Sequence, residues 1–302
     1  MTTADAGVPA PRATRSPWLV PALTVAVIAI SFAAVLFRAT PRLHPLTAAG
    51  WRLVIAGAIL SPLWSRLPRA ARGAAALGGL AYALHFGAWV ASLGLVSVLV
   101  STTVVTTTPL VLALIALASG RDRPGPRALA GVALGGGGVA LLALSQGPDA
   151  TATDGSSAGI ALALVGAAAM AGYFLVGRRV RLPTWRESLA FSGVAAAIGG
   201  AVLLVCAALA GAPLAPADLD EAAVVIGAAA LPQLVGHSLL TWALTETTPT
   251  VVALSTLGEP ICAALLAAAF LGEPLTGLGL AACALTLGAV ALALTERAAR
   301  AR

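Results

Sequence analysis

Apolar residues run along this chain in long blocks, each close to the length of a bilayer crossing, with brief polar breaks between them. Ten blocks stand out, at about 18–37, 46–65, 74–97, 99–118, 127–145, 158–177, 187–210, 221–243, 250–271 and 277–294. Roughly 20 mostly apolar residues carry an α-helix across the hydrocarbon core. Lipid offers no partner to an unpaired backbone group, so every block is predicted helical. The pattern predicts an all-α polytopic membrane protein with ten transmembrane helices. The longest break, QGPDATATDGSS at 146–157, leaves five blocks on each side. The chain thus divides into a tail (1–17), a first unit (18–145), a linker (146–157), a second unit (158–295) and a second tail (296–302).

The two units share landmarks in the same order. TTTPLVLALIALASGR (106–121) aligns with LGEPICAALLAAAFLGE (257–273), which sets Pro109 over Pro260. His85 precedes Pro109 by 24 residues, and His237 precedes Pro260 by 23. Phe32 to Arg38 has the spacing of Tyr173 to Arg179, and GVALL at 138–142 matches GAVAL at 288–292. An odd number of helices per unit turns the second copy upside down. The prediction is two inverted five-helix repeats, the plan of many secondary transporters.

Composition leaves little room for a soluble domain: 59% of the 302 residues are hydrophobic, 10% are charged, and the mean hydropathy is +0.95. The net charge of +6 does not point to nucleic acid, because its arginines sit in short breaks between apolar blocks. With the N-terminus inside, the inner segments hold every arginine except Arg38, Arg42 and Arg52. These inner residues are Arg12 and Arg15; Arg66, Arg69 and Arg72; Arg121, Arg123 and Arg127; Arg178, Arg179, Arg181 and Arg186; and Arg297, Arg300 and Arg302. The outer breaks carry Asp149, Asp154, Asp218 and Asp220. That bias predicts both termini on the cytoplasmic side. The first seventeen residues lack the order of a cleaved signal, so the first helix is expected to be retained. Cys206, Cys262 and Cys283 fall in apolar blocks, form no CxxC and have no histidine at ligand spacing, so no metal or other cofactor is expected.

Candidate chemistry gathers near the middle of the blocks. Pro109 and Pro260 lie about ten residues into their helices, close to the bilayer midplane at about 1.5 Å per residue. Each frees the carbonyl four residues earlier, Val105 and Thr256. Thr106, Thr107, Thr108, Ser255 and Thr256 offer hydroxyls beside those breaks. One reading is two related kinks facing a solute cavity; the other is that the hydroxyls simply satisfy their own helices. Glu259 is a mid-span carboxylate, and a charge there costs about 2.5–3.5 kcal/mol on insertion scales. It is expected to be protonated, paired or hydrated. It could bind a cationic or hydroxyl-bearing solute, carry a proton, or hold backbone opened by the kink. His85 shares a helix face with Trp89 at i+4, and His237 is followed by Trp242 at i+5. An imidazole and indole wall suits a flat or amphipathic solute, although a lone histidine is more often a packing residue. Tyr173 is a cavity or packing aromatic. Arg52, six residues into the second block, could snorkel outward beside Trp51 at the interface or clamp a substrate carboxylate.

LGEPICAALLAAAFLGEPLTGLGLAACALTLGAVALAL (257–294), AAAMAGYFLVGRRVR (167–181) and AAGWRLVIAGAILSPL (48–63) together resemble the EamA family of the drug/metabolite transporter superfamily. The resemblance covers about 18–295. It implies ten helices in two inverted repeats around a central cavity, with solute export or exchange by alternating access. The first repeat departs from it, with Thr108-Pro109 in place of Glu-Pro and Gly120-Arg121-Asp122 in place of Leu-Gly-Glu. The first helix has no carboxylate, unlike small four-helix relatives that couple protons through one.

An intramembrane enzyme would need chemistry the chain lacks: there is no HExxH, no GxSxG and no lysine for a Ser-Lys dyad. Neither a filter motif of the TVGYG type nor a GxxxxGK[ST] loop occurs, against a channel or an ATP-driven pump. The sequence thus predicts an inner-membrane permease, with export as the expected direction, for a small organic solute such as an amino acid or a drug-like molecule. Its surroundings are membrane lipid, a proton is the candidate coupling ion, and a non-transporting membrane protein or intramembrane enzyme is the alternative. His85, Trp89, Thr107, Thr108, Tyr173, His237, Trp242 and Glu259 are the candidate substrate-binding residues.

Overall fold

A computed structural model of the protein describes residues 16–40, 42–118, 126–145, 155–180, 182, 184–247 and 249–300. The N-terminal tail through Arg15, the linker through Asp154, the Gly120-Arg121-Asp122 departure, and Arg123, Arg181 and Arg302 lie outside the described residues. Helix α1 spans Leu19–Arg38, α2 Pro45–Ile59, α3 Arg72–Leu93, α4 Val98–Val105, α5 Thr108–Ala118 and α6 Pro126–Leu144. In the second unit, α7 spans Gly155–Arg179, α8 Trp185–Leu209, α9 Leu219–Ala228, α10 Ser238–Glu246, α11 Pro249–Ser255, α12 Glu259–Leu271 and α13 Gly277–Arg300.

Several predicted spans are not single α-helices. The predicted helix at 46–65 tightens to a 3₁₀ segment, Ser61–Arg66, where Pro62 enters. The span at 99–118 breaks at Thr106-Thr107, and that at 250–271 passes through a 3₁₀ turn, Thr256–Gly258. Between α9 and α10 the chain widens into a π-helical stretch, Ala229–His237, with Pro232 inside it. Proline removes an N–H and crowds the preceding turn, so the ladder shifts register around it. Among the described residues, seven helical stretches are long and apolar enough to cross a bilayer: Leu19–Arg38, Arg69–Leu93, Val98–Ile115, Ser157–Arg179, Trp185–Leu209, Leu219–Glu246 and Val251–Leu271. Three further apolar stretches, Pro45–Ile59, Ala133–Leu142 and Gly277–Ala289, are shorter among those residues.

Packing pairs the units across one another. Helix α1 packs on the α9–π–α10 stretch and on α12, while α7 packs on α3 and α4. Helices α2 and α8, α4 and α12, and α6 and α13 form direct pairs. With α4–α5 and α11–α12 each taken as one span, exchanging the two units leaves this set of neighbours unchanged. Small residues make the approach close, as lipid provides no hydrophobic drive between helices. At the α2–α8 crossing, a Cβ on Gly200 would lie 2.7 Å from the Gly50 carbonyl oxygen and 2.7 Å from the Val54 nitrogen. Helix α12 ends on Gly272, whose φ of 68° is the left-handed C-terminal cap that glycine adopts without strain.

Polar ties collect at the end of the bundle predicted to face outward. Glu273 accepts from Arg38 Nη2 at 2.6 Å and from Arg38 Nε at 3.1 Å, while its other oxygen accepts from the Val98 amide at 2.9 Å. One carboxylate thereby holds the end of α1, the start of α4 and the turn after α12. Arg42 pairs with Asp218, and its Nε sits 3.3 Å from Glu221. Thr47 donates to the Pro213 carbonyl at 2.8 Å, and the Trp51 indole donates to that of Leu214 at 2.6 Å.

Asp218 also caps α9, accepting from the Glu221 amide at 2.9 Å. That amide and the Arg42 guanidinium hold its carboxyl below the usual carboxylate range, and Asp218 in turn raises Arg42. A lowered carboxyl stabilises the fold above the unfolded-state value and loses that contribution as pH falls through the folded one. In thermal unfolding, the difference between the wild type and Asp218→Asn is expected to be constant from pH 7 to about 5 and to shrink below about 4, where carboxylates titrate. A difference that grows on acidification would contradict this assignment.

Candidate functional site

The breaks in the helices meet at a chamber inside the bundle. Its wall takes Ile30 and Ala33 from α1, His85, Phe86 and Trp89 from α3, and Met170 and Phe174 from α7. Val105, Thr106 and Thr108 come from the α4–α5 break, His237 and Leu240 from the π–α10 junction, and Thr256 and Glu259 from the break before α12. Both units therefore contribute. The chamber volume is about 40 Å³, room for a few waters at roughly 10–15 Å³ each and far below the space an organic solute needs.

Aromatic rings order one side of this wall. His85 and His237, predicted as repeat equivalents, approach to 6.4 Å between ring centroids. Phe86 lies 4.5 Å from His85 and 5.1 Å from His237. Trp89 lies parallel to His85, 10° from coplanar at 6.3 Å. His85 Nδ1 is 2.8 Å from the Gly166 carbonyl, an acceptor only, so Nδ1 carries the hydrogen. Nε2 is then the nitrogen left to accept from a solute.

The hydroxyls answer the question raised by the two prolines. Thr108 donates to the Val105 carbonyl at 3.1 Å, the group freed by Pro109, and is 3.3 Å from that of Ala167. The Thr256 carbonyl, freed by Pro260, accepts the Glu259 amide in the 3₁₀ turn. Thr106 donates to Thr102 at 2.9 Å and Thr256 to Ala253 at 2.8 Å. The kinks satisfy themselves, and the hydroxyl oxygens keep acceptor capacity toward the chamber.

Of the predicted residues, His85, Trp89, Thr108, His237 and Glu259 meet at this wall, and three lie elsewhere. The buried Thr107 hydroxyl donates to Val104 at 2.7 Å within its own turn. Tyr173 stacks on Tyr82 at 4.0 Å, with its hydroxyl 3.0 Å from that of Thr241. Trp242 sits in a separate apolar groove with Trp18 and Trp185. A spacing of i+5 rotates a side chain ~140° round a helix, so Leu240, not Trp242, shares the chamber with His237. Arg52 does not snorkel. It is fully buried, with its guanidinium 4.3 Å from the Phe86 ring centre and 5.5 Å from that of Phe37. The 210–218 loop is tied to the same helix, α2, through Thr47 and Trp51. The apolar lining from α1 and α7 carried no signal in the sequence, because in an apolar chain it reads as core.

The description "EamA-like transporter family" belongs to a sequence profile that matches residues 17–144 and again 157–295. No curated protein matches the chain in sequence. Among solved structures, one titled only as a crystal structure of a protein is 20% identical and superposes with a TM-score of 0.64, over 94% of this chain and 99% of that one. At that identity the likeness speaks for the fold alone.

Proposed function

Since the chain belongs to the EamA-like transporter family, we propose that it is an inner-membrane permease that exports a small organic solute by alternating access. Both termini face the cytoplasm, and the ten helical stretches act as two inverted five-helix repeats around the chamber. The observation that carries this reading is the chamber itself, lined from both units and holding an intramembrane carboxylate and a facing histidine pair. Ionisable groups inside a membrane characteristically line solute or proton paths. The exchange-invariant packing of the units supports rocking of one set of helices against the other. Glu259 takes the cationic part of the solute or a proton in turn, while the His85, Phe86 and Trp89 wall receives its apolar face. The 40 Å³ volume fits a closed stage of such a cycle.

Uptake into proteoliposomes, screened over amino acids and nucleosides with and without a pH gradient, tests the proposal. At least one solute is expected to move faster than in protein-free vesicles. No movement of any solute under any gradient would end the carrier reading in favour of a non-transporting role. Within that assay, Trp89→Ala is expected to raise the half-saturating solute concentration about tenfold, from lost stacking worth about 1–1.5 kcal/mol. Trp242→Ala, in the separate groove, is expected to leave it within about twofold, as a substitution away from the bound solute does. The reverse ranking would move the solute site to the groove.

A further inference from the structure

Arg52 is, with Gln233 and Tyr82, among the buried polar groups that the mechanism above leaves unused. Its side chain is fully buried, and Nε, Nη1 and Nη2 all lack a hydrogen-bond partner. Stacking over Phe86 satisfies the charge in part. It does nothing for the N–H donors, which lie in the guanidinium plane and point away from the ring below. The Trp89 indole N–H, on the chamber wall, is also buried without an acceptor. Trp89 and Arg52 flank the same ring, with Phe86 6.4 Å from Trp89 and 4.3 Å from Arg52. What this cluster lacks is a hydrogen-bonded acceptor. Tyr82 and the chamber-wall carboxylate, Glu259, act on Arg52 electrostatically, with no hydrogen bond between them and the guanidinium.

Phe86 lines the chamber and carries Arg52 over its ring at 4.3 Å, while Arg52 itself is not part of the chamber wall. One rotation of this ring would enlarge a space too small for a solute and uncover the guanidinium. We infer that Arg52, with the Trp89 N–H, forms an anion-receiving subsite behind Phe86, opposite Glu259. This inference rests on the transporter reading and narrows its solute to small zwitterions. A carboxylate replaces the Phe86 face on Arg52, matching the planar fork, while an ammonium group meets Glu259. A purely cationic drug leaves Arg52 unmatched, and a purely anionic solute leaves Glu259 unmatched.

The test pairs each standard amino acid with its C-terminal amide, which keeps the ammonium and removes the carboxylate. Binding to the purified full chain is read by thermal shift, and entry into proteoliposomes by competition with labelled solute. At least one acid is expected to bind at least about tenfold tighter than its amide, the scale of a charge-assisted hydrogen bond. Arg52→Gln abolishes that preference and Arg52→Lys restores part of it. Phe86→Leu, which keeps an apolar wall but uncovers the guanidinium, is expected to tighten acid binding several-fold and leave the amide unchanged; it serves as the test if the Arg52 variants fail to fold. Solutes that move with acid and amide treated alike would overturn the subsite and leave the transporter standing, as would Phe86→Leu weakening both equally. No binding and no movement of any solute would remove the transporter reading, and the subsite with it.

Discussion

Glu259→Gln is expected to leave the protein folded and inserted but to lower solute flux by at least about tenfold, with the residue of flux insensitive to pH. The substitution preserves size and hydrogen-bonding shape while deleting the charge. A charge-assisted contact to a cationic group is worth about 1.5–3 kcal/mol, or roughly ten- to a hundredfold in affinity. Losing it weakens the solute's grip, and losing the titratable site uncouples flux from the proton gradient. Folding is expected to survive, because the one backbone bond Glu259 supplies at the 3₁₀ turn comes from its amide, not its side chain. The assay is exchange at symmetric pH beside net flux under an imposed gradient, with thermal unfolding as the check on structure. Unchanged rate and unchanged pH dependence would return Glu259 to a structural role.

The second large effect is on stability. Gly200→Ala is expected to lower the unfolding temperature by on the order of 10 °C, for a cost of about 3 kcal/mol from overpacking. The added methyl would stand 2.7 Å from two backbone atoms of α2, the Gly50 oxygen and the Val54 nitrogen. Neither can swing aside as a side chain could, so α2 and α8 must part along their whole contact. Gly172→Ala is the matched control: its added Cβ meets nothing within 4 Å. There the gain in helix propensity, up to about 1 kcal/mol, is expected to leave stability level or slightly higher. Thermal unfolding in one detergent compares the two. Equal losses would show that helix approach at Gly200 does not limit stability.

The apolar blocks made the helical architecture legible, because their length is set by the bilayer and their period needs no tertiary information. Pro109 and Pro260 marked the two breaks, and the His85–His237 equivalence anticipated the facing rings. Trp242 follows His237 at i+5, a spacing that turns ~140° round the α-helix after Ser238 and carries the indole off the chamber face. For Arg52 the sequence leaves snorkelling and an inward role open, because the rings that the guanidinium packs on, Phe37 and Phe86, belong to other helices. Ile30, Met170 and Phe174 were invisible because a cavity-facing aliphatic and a core aliphatic are the same residue type until neighbours are known. Pro62 tightens the end of α2 and shortens that helix to Pro45–Ile59.

Glu273 grips the end of α1 through Arg38 and the first amide of α4 through its second oxygen. Moving that carboxylate loosens both helix ends at once, so in the alternating-access cycle proposed above a shift of the turn after α12 is expected to free α1 and α4 together.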